Sequence, residues 1–143
     1  LAPAGSVEHE ATGSVLVIDD DDLVRRATRG ALARLGFDVA EASSGADGIG
    51  LLAQRPEGYD VVLLDLVMPG LSGSETYRAL RRINPRLPVV VCTGYSADAH
   101  MDAEMRGGIS GVLRKPFNRE RLALALQEAG VMLPLQGAMD VPA

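Results

Sequence analysis

At 143 residues the chain can fill one domain of ordinary size but not two well-packed ones, and its 47% hydrophobic and 23% charged residues exclude a disordered or collagenous chain. A formal net charge of -5, with an isoelectric point near 5.0, counts against a nucleic-acid-binding surface. The single cysteine, Cys92, excludes an internal disulfide and a cysteine-rich zinc site, which suits a reducing, cytoplasmic compartment.

Residues 1–13 are small, polar and aperiodic, as a linker is, and residues 130–143 carry Pro and Gly without a sustained period, as a tail does. The domain is therefore expected over residues 14–129. No apolar run approaches the roughly 18 residues needed to span a membrane. The chain opens on Leu1, with no charged leader before an apolar stretch, so we read it as a segment of a longer protein without a signal peptide.

The first apolar run, Val15-Leu16-Val17-Ile18, is short, rich in β-branched residues and unalternating, the pattern of a strand buried on both faces of a parallel sheet. Val24, Ala27, Ala31, Leu32 and Leu35 then recur at helical spacing, and Gly36 ends that helix. Phe37-Asp38-Val39-Ala40-Glu41 alternates apolar and polar residues, as an edge strand does. After the Ser43-Ser44-Gly45 turn, Ile49 and Leu52 mark a short helix. Val61-Val62-Leu63-Leu64 is a second buried strand, and Tyr77, Leu80 and Ile83 mark a helix ended by Asn84-Pro85. Val89-Val90-Val91-Cys92 is a third buried strand, followed by a weakly apolar helix through Ala97, Met101 and Met105 that stops at Gly107-Gly108. Gly111-Val112-Leu113 is a weaker strand, and Asn118 can cap a last helix with Leu122, Ala125, Leu126 and Ala129 facing inward. Five strand–helix alternations with right-handed crossovers predict a three-layer α/β/α sandwich around a five-stranded parallel sheet.

Chemistry collects where the buried runs end. Asp19 and Asp20 follow Ile18, Asp65 follows Leu64, Thr93 follows Cys92, and Lys115 comes shortly after Leu113. In an open parallel sheet such positions converge on one rim, at the switch point where ligands bind. Clustered carboxylates without a cation would repel one another until one kept its proton. A hard divalent cation resolves that conflict, and Mg²⁺ in turn favours a phosphate partner. Lys115 is the only lysine in the chain, and a compact ammonium suits an ion pair with a carboxylate or one phosphoryl oxygen.

These residues resemble the receiver domain of bacterial two-component response regulators. The matching pieces are Val15-Leu16-Val17-Ile18-Asp19-Asp20, the run from Asp60 through Asp65 to Met68-Pro69-Gly70 and Gly73, Thr93 after its apolar run, and Lys115-Pro116-Phe117. The resemblance implies a flavodoxin-like fold with strand order 2-1-3-4-5. It also implies phosphoryl transfer from a phosphohistidine, on a histidine kinase core or a histidine phosphotransfer domain, to Asp65. Asp20, Asp65 and the backbone carbonyl of Val67 would bind Mg²⁺ directly and Asp19 partly through water, while Lys115 and Thr93 would meet the phosphoryl oxygens. The Lys115–Pro116 bond matches one that is cis in the family. The surface over about residues 97–129 matches the family's usual partner face, the place for a weak homodimer. No direct nucleic-acid or membrane contact is expected of the domain.

The stretch Val91-Cys92-Thr93-Gly94-Tyr95-Ser96 resembles C-terminal receivers of hybrid sensor histidine kinases, which is the preferred origin, with any membrane anchor elsewhere in the parent protein. The alternative is a separate response regulator cut before its output domain. A different class, the haloacid-dehalogenase-type Mg²⁺ phosphatase, wants a second Asp two residues after the nucleophile. That spacing holds for Asp19 and Asp21 but not for Asp65 and Val67. Three positions depart from the receiver pattern. Val112 stands where the family carries a switching aromatic ring, a role Tyr95 could take over. Val67 and Tyr95 are apolar where side chains control water's approach to the phosphoryl group.

Several residues have plainer readings. Asp21 and Asp22 suit the start of a helix through its dipole. His9 and His100 lack metal-ligand neighbours and suit solvent, while Met101, Met105 and Cys92 read as core.

Overall fold

In chain order, the computed structural model, which describes residues 13–94 and 100–134, alternates strand and helix. The elements are β1 (Ser14–Ile18), α1 (Asp22–Arg34), β2 (Asp38–Ala42), α2 (Gly45–Gln54), β3 (Val61–Asp65), α3 (Gly73–Ile83), β4 (Val89–Thr93), α4 (Ala103–Gly108), β5 (Gly111–Arg114) and α5 (Arg119–Glu128). All strand pairs are parallel, and the sheet order is β2-β1-β3-β4-β5. This is the flavodoxin-like receiver arrangement that the resemblance implied.

The unalternating runs are explained by two cores, one on each face of the sheet. Leu16, Ile18, Val62, Leu64, Val89 and Val91 point to one side, where they pack with Leu52, Tyr77, Leu80 and Met105 from α2, α3 and α4. Val15, Val17, Val61, Leu63, Val90 and Cys92 point to the other, against Leu32, Leu122 and Leu126 from α1 and α5. Each fully buried Leu or Ile contributes roughly 1.5–3 kcal/mol over an exposed one, so β1, β3 and β4 carry much of the stability. Met101 and Met105 are core residues, as their sequence reading held.

Helix starts are set by short polar side chains. Asp21, Ser44, Ser72, Asp102 and Asn118 each accept backbone N–H bonds from the first turn, and Ser72 with Glu75 forms a reciprocal capping box. Gly36 follows α1 with φ 97°, a conformation that excludes most side chains. The Met68-Pro69-Gly70 turn after β3 uses Gly70 at φ 85° in the same way. The Lys115–Pro116 peptide is cis.

Three details differ from the sequence expectations. The edge strand begins at Asp38 and ends at Ala42, one residue later than its alternation suggested, and Phe37 is instead buried against the α1/α5 side. The fourth helix begins at Ala103, because Asp102 caps it by accepting the Met105 N–H at 2.9 Å. Ala97 and Tyr95 lie outside the described residues. Finally, the core continues past residue 129, where the sequence placed the end of the domain: Val131 and Leu133 are buried in the α1/α5 cluster and Met132 between them is exposed. That three-residue alternation is too short to register as a period.

Candidate functional site

The carboxyl ends of β1, β3, β4 and β5 bring the chemistry-bearing residues to one rim. β1 ends at Ile18, so Asp19 emerges into the turn before α1, its N–H still bonded to the Ala42 carbonyl of β2 at 3.0 Å. Its Oδ1 accepts the Asp21 N–H at 2.9 Å and its Oδ2 accepts from Lys115 Nζ at 2.8 Å. Asp65 is the last residue of β3; its Oδ1 accepts the Val67 N–H at 3.1 Å and its Oδ2 lies 3.4 Å from Lys115 Nζ. Lys115 is itself fixed through its backbone, whose N–H donates to the Thr93 carbonyl at 2.7 Å.

Asp19, Asp20 and Asp65 each present a carboxylate oxygen within 4.8 Å of the others. Asp19 and Asp65 are buried and Asp20 is exposed. Burial pushes the Asp65 carboxyl from 3.8 up to about 6; the Val67 N–H and the Lys115 ammonium pull it back down, and the neighbouring Asp19 charge raises it further. Burial lowers the Lys115 ammonium, but its bond to Asp19 and the Asp65 charge win and hold it above its ordinary value. One ammonium among three carboxylates leaves a surplus of negative charge in a partly desolvated pocket. The donor set is all oxygen, acidic and open on the Asp20 side, so it fits a hard divalent cation that keeps part of its water shell.

The other expected residues are placed as follows. Thr93 closes β4 and is 1% exposed. Val67 turns its amide to Asp65 and its side chain to solvent, 56% exposed. Val112 lies on β5 and is 41% exposed. Cys92 is buried, and desolvation pushes its thiol up to about 12, so it is unreactive at neutral pH. Asp21 is spent on the α1 cap, where Oδ1 accepts the Leu23 and Val24 N–H groups at 3.0 and 3.1 Å. Asp22 pairs with Arg25 at 2.7 Å, and His100 is exposed.

Sequence reasoning did not single out Arg25. Its Nη1 donates to the backbone carbonyl of Asp19 at 2.9 Å, and its Nε to Glu41 Oε1 at 3.0 Å. Its spacing from Asp22 could have suggested a helix-face ion pair, but nothing in the sequence points to the Asp19 carbonyl.

With that geometry in hand, comparisons define the class. The family model described as the response regulator receiver domain matches residues 15–127. A response regulator receiver domain protein from Clostridium thermocellum superposes with a TM-score of 0.75 at 28% identity, over 88% of this chain and 98% of that one. The receiver domain of NtrX from Brucella abortus gives 0.73 at 26% identity, over 80% of this chain and 96% of that one. In sequence, the transcriptional regulatory protein AfsQ1 of Streptomyces coelicolor is 38% identical over 104 residues, 72% of this chain and 44% of its own length. The sensor kinase CckA of Brucella abortus is 32% identical over 117 residues, 82% of this chain and 12% of its own length. The chain belongs to the response regulator receiver domain family, the phosphorelay modules of two-component signal transduction. It spans less than half the length of these curated relatives. No helix among the described residues is long and apolar enough to cross a membrane.

Proposed function

We propose that the domain accepts a phosphoryl group onto Asp65 from a phosphohistidine, carried by a histidine kinase core or a histidine phosphotransfer domain. The observation that carries this reading is the Lys115 ammonium standing 2.8 Å from Asp19 and 3.4 Å from Asp65 beside an oxygen cluster that fits a divalent cation. An Asp65 carboxylate oxygen attacks phosphorus, the P–O bond forms, and the P–N bond breaks with its electron pair leaving on the donor imidazole. Asp20, Asp65 and the Val67 backbone carbonyl, with Asp19 partly through water, would hold Mg²⁺, which would supply charge neutralisation to the phosphoryl oxygens. Lys115 supplies a second positive charge from the opposite element, and the Thr93 hydroxyl donates to a phosphoryl oxygen.

Incubation with Mg²⁺ and acetyl phosphate, followed by intact mass measurement, tests this. The expected result is the addition of one phosphoryl group, lost in Asp65→Asn. No addition to the wild-type chain, or addition that persists in Asp65→Asn, would overturn it. The same assay separates the phosphatase reading, which requires continuing turnover of phosphate monoesters. That reading is disfavoured because Asp19 is engaged by Lys115 and Asp21 is occupied as a helix cap.

The preferred parent is a hybrid sensor histidine kinase with this receiver at its C-terminus, supported by the likeness to the sensor kinase CckA. A separate response regulator is supported by the likeness to AfsQ1. The coding region upstream of residue 1 decides: a histidine kinase core there supports the first reading, its absence the second.

A further inference from the structure

The peptide group joining Asp19 to Asp20 lies just beyond the end of β1, so its carbonyl has no place in the strand ladder. Arg25 takes that carbonyl, and it does so with a guanidinium that is itself immobilised. Nη1 donates to the Asp19 oxygen at 2.9 Å, Nη2 to Asp22 Oδ1 at 2.7 Å, and Nε to Glu41 Oε1 at 3.0 Å. The side chain is only 13% exposed, and its anchor Glu41, on the neighbouring strand β2, is held a second time by Arg29 at 3.2 Å. The Asp19–Asp20 peptide plane is thus fixed to α1 and β2 together. Asp20 needs that help: it is exposed, and its carboxylate makes no hydrogen bond or ion pair with a described residue. Asp19, by contrast, is oriented by Lys115 and the Asp21 N–H.

Two physical effects oppose each other here. A positive charge beside the acidic cluster repels a cation, which would make Arg25 a liability. Asp22 and Glu41 neutralise that charge at hydrogen-bond distance, so the surviving effect is orientation. We infer that Arg25 is a positioning residue for the cation site, setting the Asp19–Asp20 peptide so that both carboxylates face the cation together with Asp65. This rests on the proposal that Asp19 and Asp20 are Mg²⁺ ligands. Outer residues that orient ligands are typically worth about 10- to 100-fold in metal affinity.

The test is calorimetric titration of the full chain with MgCl₂ alone, with no phosphodonor present. Arg25→Ala is expected to weaken Mg²⁺ binding about 10-fold or more. Arg29→Ala, which removes a guanidinium from the same Glu41 without touching Asp19, is expected to leave Mg²⁺ affinity at the wild-type value. If charge repulsion dominated, both substitutions would tighten binding, so unchanged or tighter binding in Arg25→Ala overturns the inference. Arg25→Lys keeps the charge but loses the planar fork, and is also expected to weaken binding. Should Arg25→Ala fail to fold by circular dichroism, wild-type affinity in Arg25→Lys overturns the inference by itself. A wild-type chain that binds no Mg²⁺ overturns the metal reading and this inference with it. Wild-type binding that is indifferent to Arg25 overturns this inference alone.

Discussion

Lys115 and Asp19 stand 2.8 Å apart across a separation of 96 positions in the chain, and the same ammonium lies 3.4 Å from Asp65. One cation therefore serves two buried carboxylates that would otherwise repel each other. In Lys115→Met the ammonium's share of the downward pull on Asp65 disappears, while burial, the Val67 N–H bond and the Asp19 charge remain. Its titration midpoint, read from carboxyl-carbon NMR shifts in metal-free protein, is expected to rise above about 6. Phosphorylation by acetyl phosphate at saturating Mg²⁺ is expected to fall about a hundredfold, the usual loss when one stabilising charge or donor is removed. An unchanged rate would exclude Lys115 from the transfer step.

Asp65 also makes metal-free stability depend on pH with a definite sign. Its carboxyl is raised from 3.8 to about 6, so between those values the folded chain keeps a proton that the unfolded chain has released. The stabilisation is complete below 3.8 and is lost as the pH climbs through about 6. Glu75 and Asp102 are lowered by their cap hydrogen bonds and act in the opposite direction, so the comparison must be with Asp65→Asn. Urea unfolding without Mg²⁺ is expected to show Asp65→Asn more stable than wild type at pH 7 and the gap closing towards pH 4. Mg²⁺ affinity of the wild type is expected to rise across the same window, since the ligand must be deprotonated.

Asp21 distinguishes a cap from a ligand. Its side chain accepts two first-turn N–H groups of α1. Asp21→Ala is expected to cost about 1 kcal/mol in chemical denaturation while Mg²⁺ affinity and phosphorylation persist. Asp21→Asn, which keeps the acceptor, is expected to be close to neutral. Loss of Mg²⁺ binding in both would make the side chain a ligand.

What the sequence reveals depends on how local the cause is. The five strands and five helices among the described residues follow from short periodicities and turn chemistry, and the convergence of Asp19, Asp65 and Lys115 follows from strand ends in a parallel sheet. Arg25 escapes because its decisive acceptor is a backbone carbonyl, which leaves no trace in residue identity. The fourth helix is read too long because Met101 and Met105 share a face, whereas the cap at Asp102 falls between them. Val131 and Leu133 escape because a two-residue pattern in a Gly- and Pro-bearing stretch looks like any tail.

Those two residues give the next expectation. A chain ending at Ala129 would uncover the α1/α5 core beneath Val131 and Leu133. Leu133 is 3% exposed, and Leu133→Ala alone is expected to cost about 2–5 kcal/mol in urea unfolding, with the shortened chain losing at least as much. A shortened chain as stable as the full one would mean that this segment lies on the core without stabilising it.

If Asp65 carries the phosphoryl group as proposed, Val67 is expected to limit what water can do after transfer. It stands two residues beyond Asp65, with its amide on Asp65 Oδ1 and its side chain 56% exposed at the mouth of the site. An apolar side chain there offers a hydrolytic water no hydrogen bond, whereas an amide could hold and orient one beside the phosphoryl group. Val67→Asn is therefore expected to lose its phosphoryl group severalfold faster than wild type, measured as the decay of the phosphorylated mass after removal of acetyl phosphate. Because Val67 contributes only backbone atoms to the proposed cation site, Mg²⁺ affinity should stay near the wild-type value. A wild-type decay as fast as that of the variant would show that water reaches the phosphoryl group by a path Val67 does not guard.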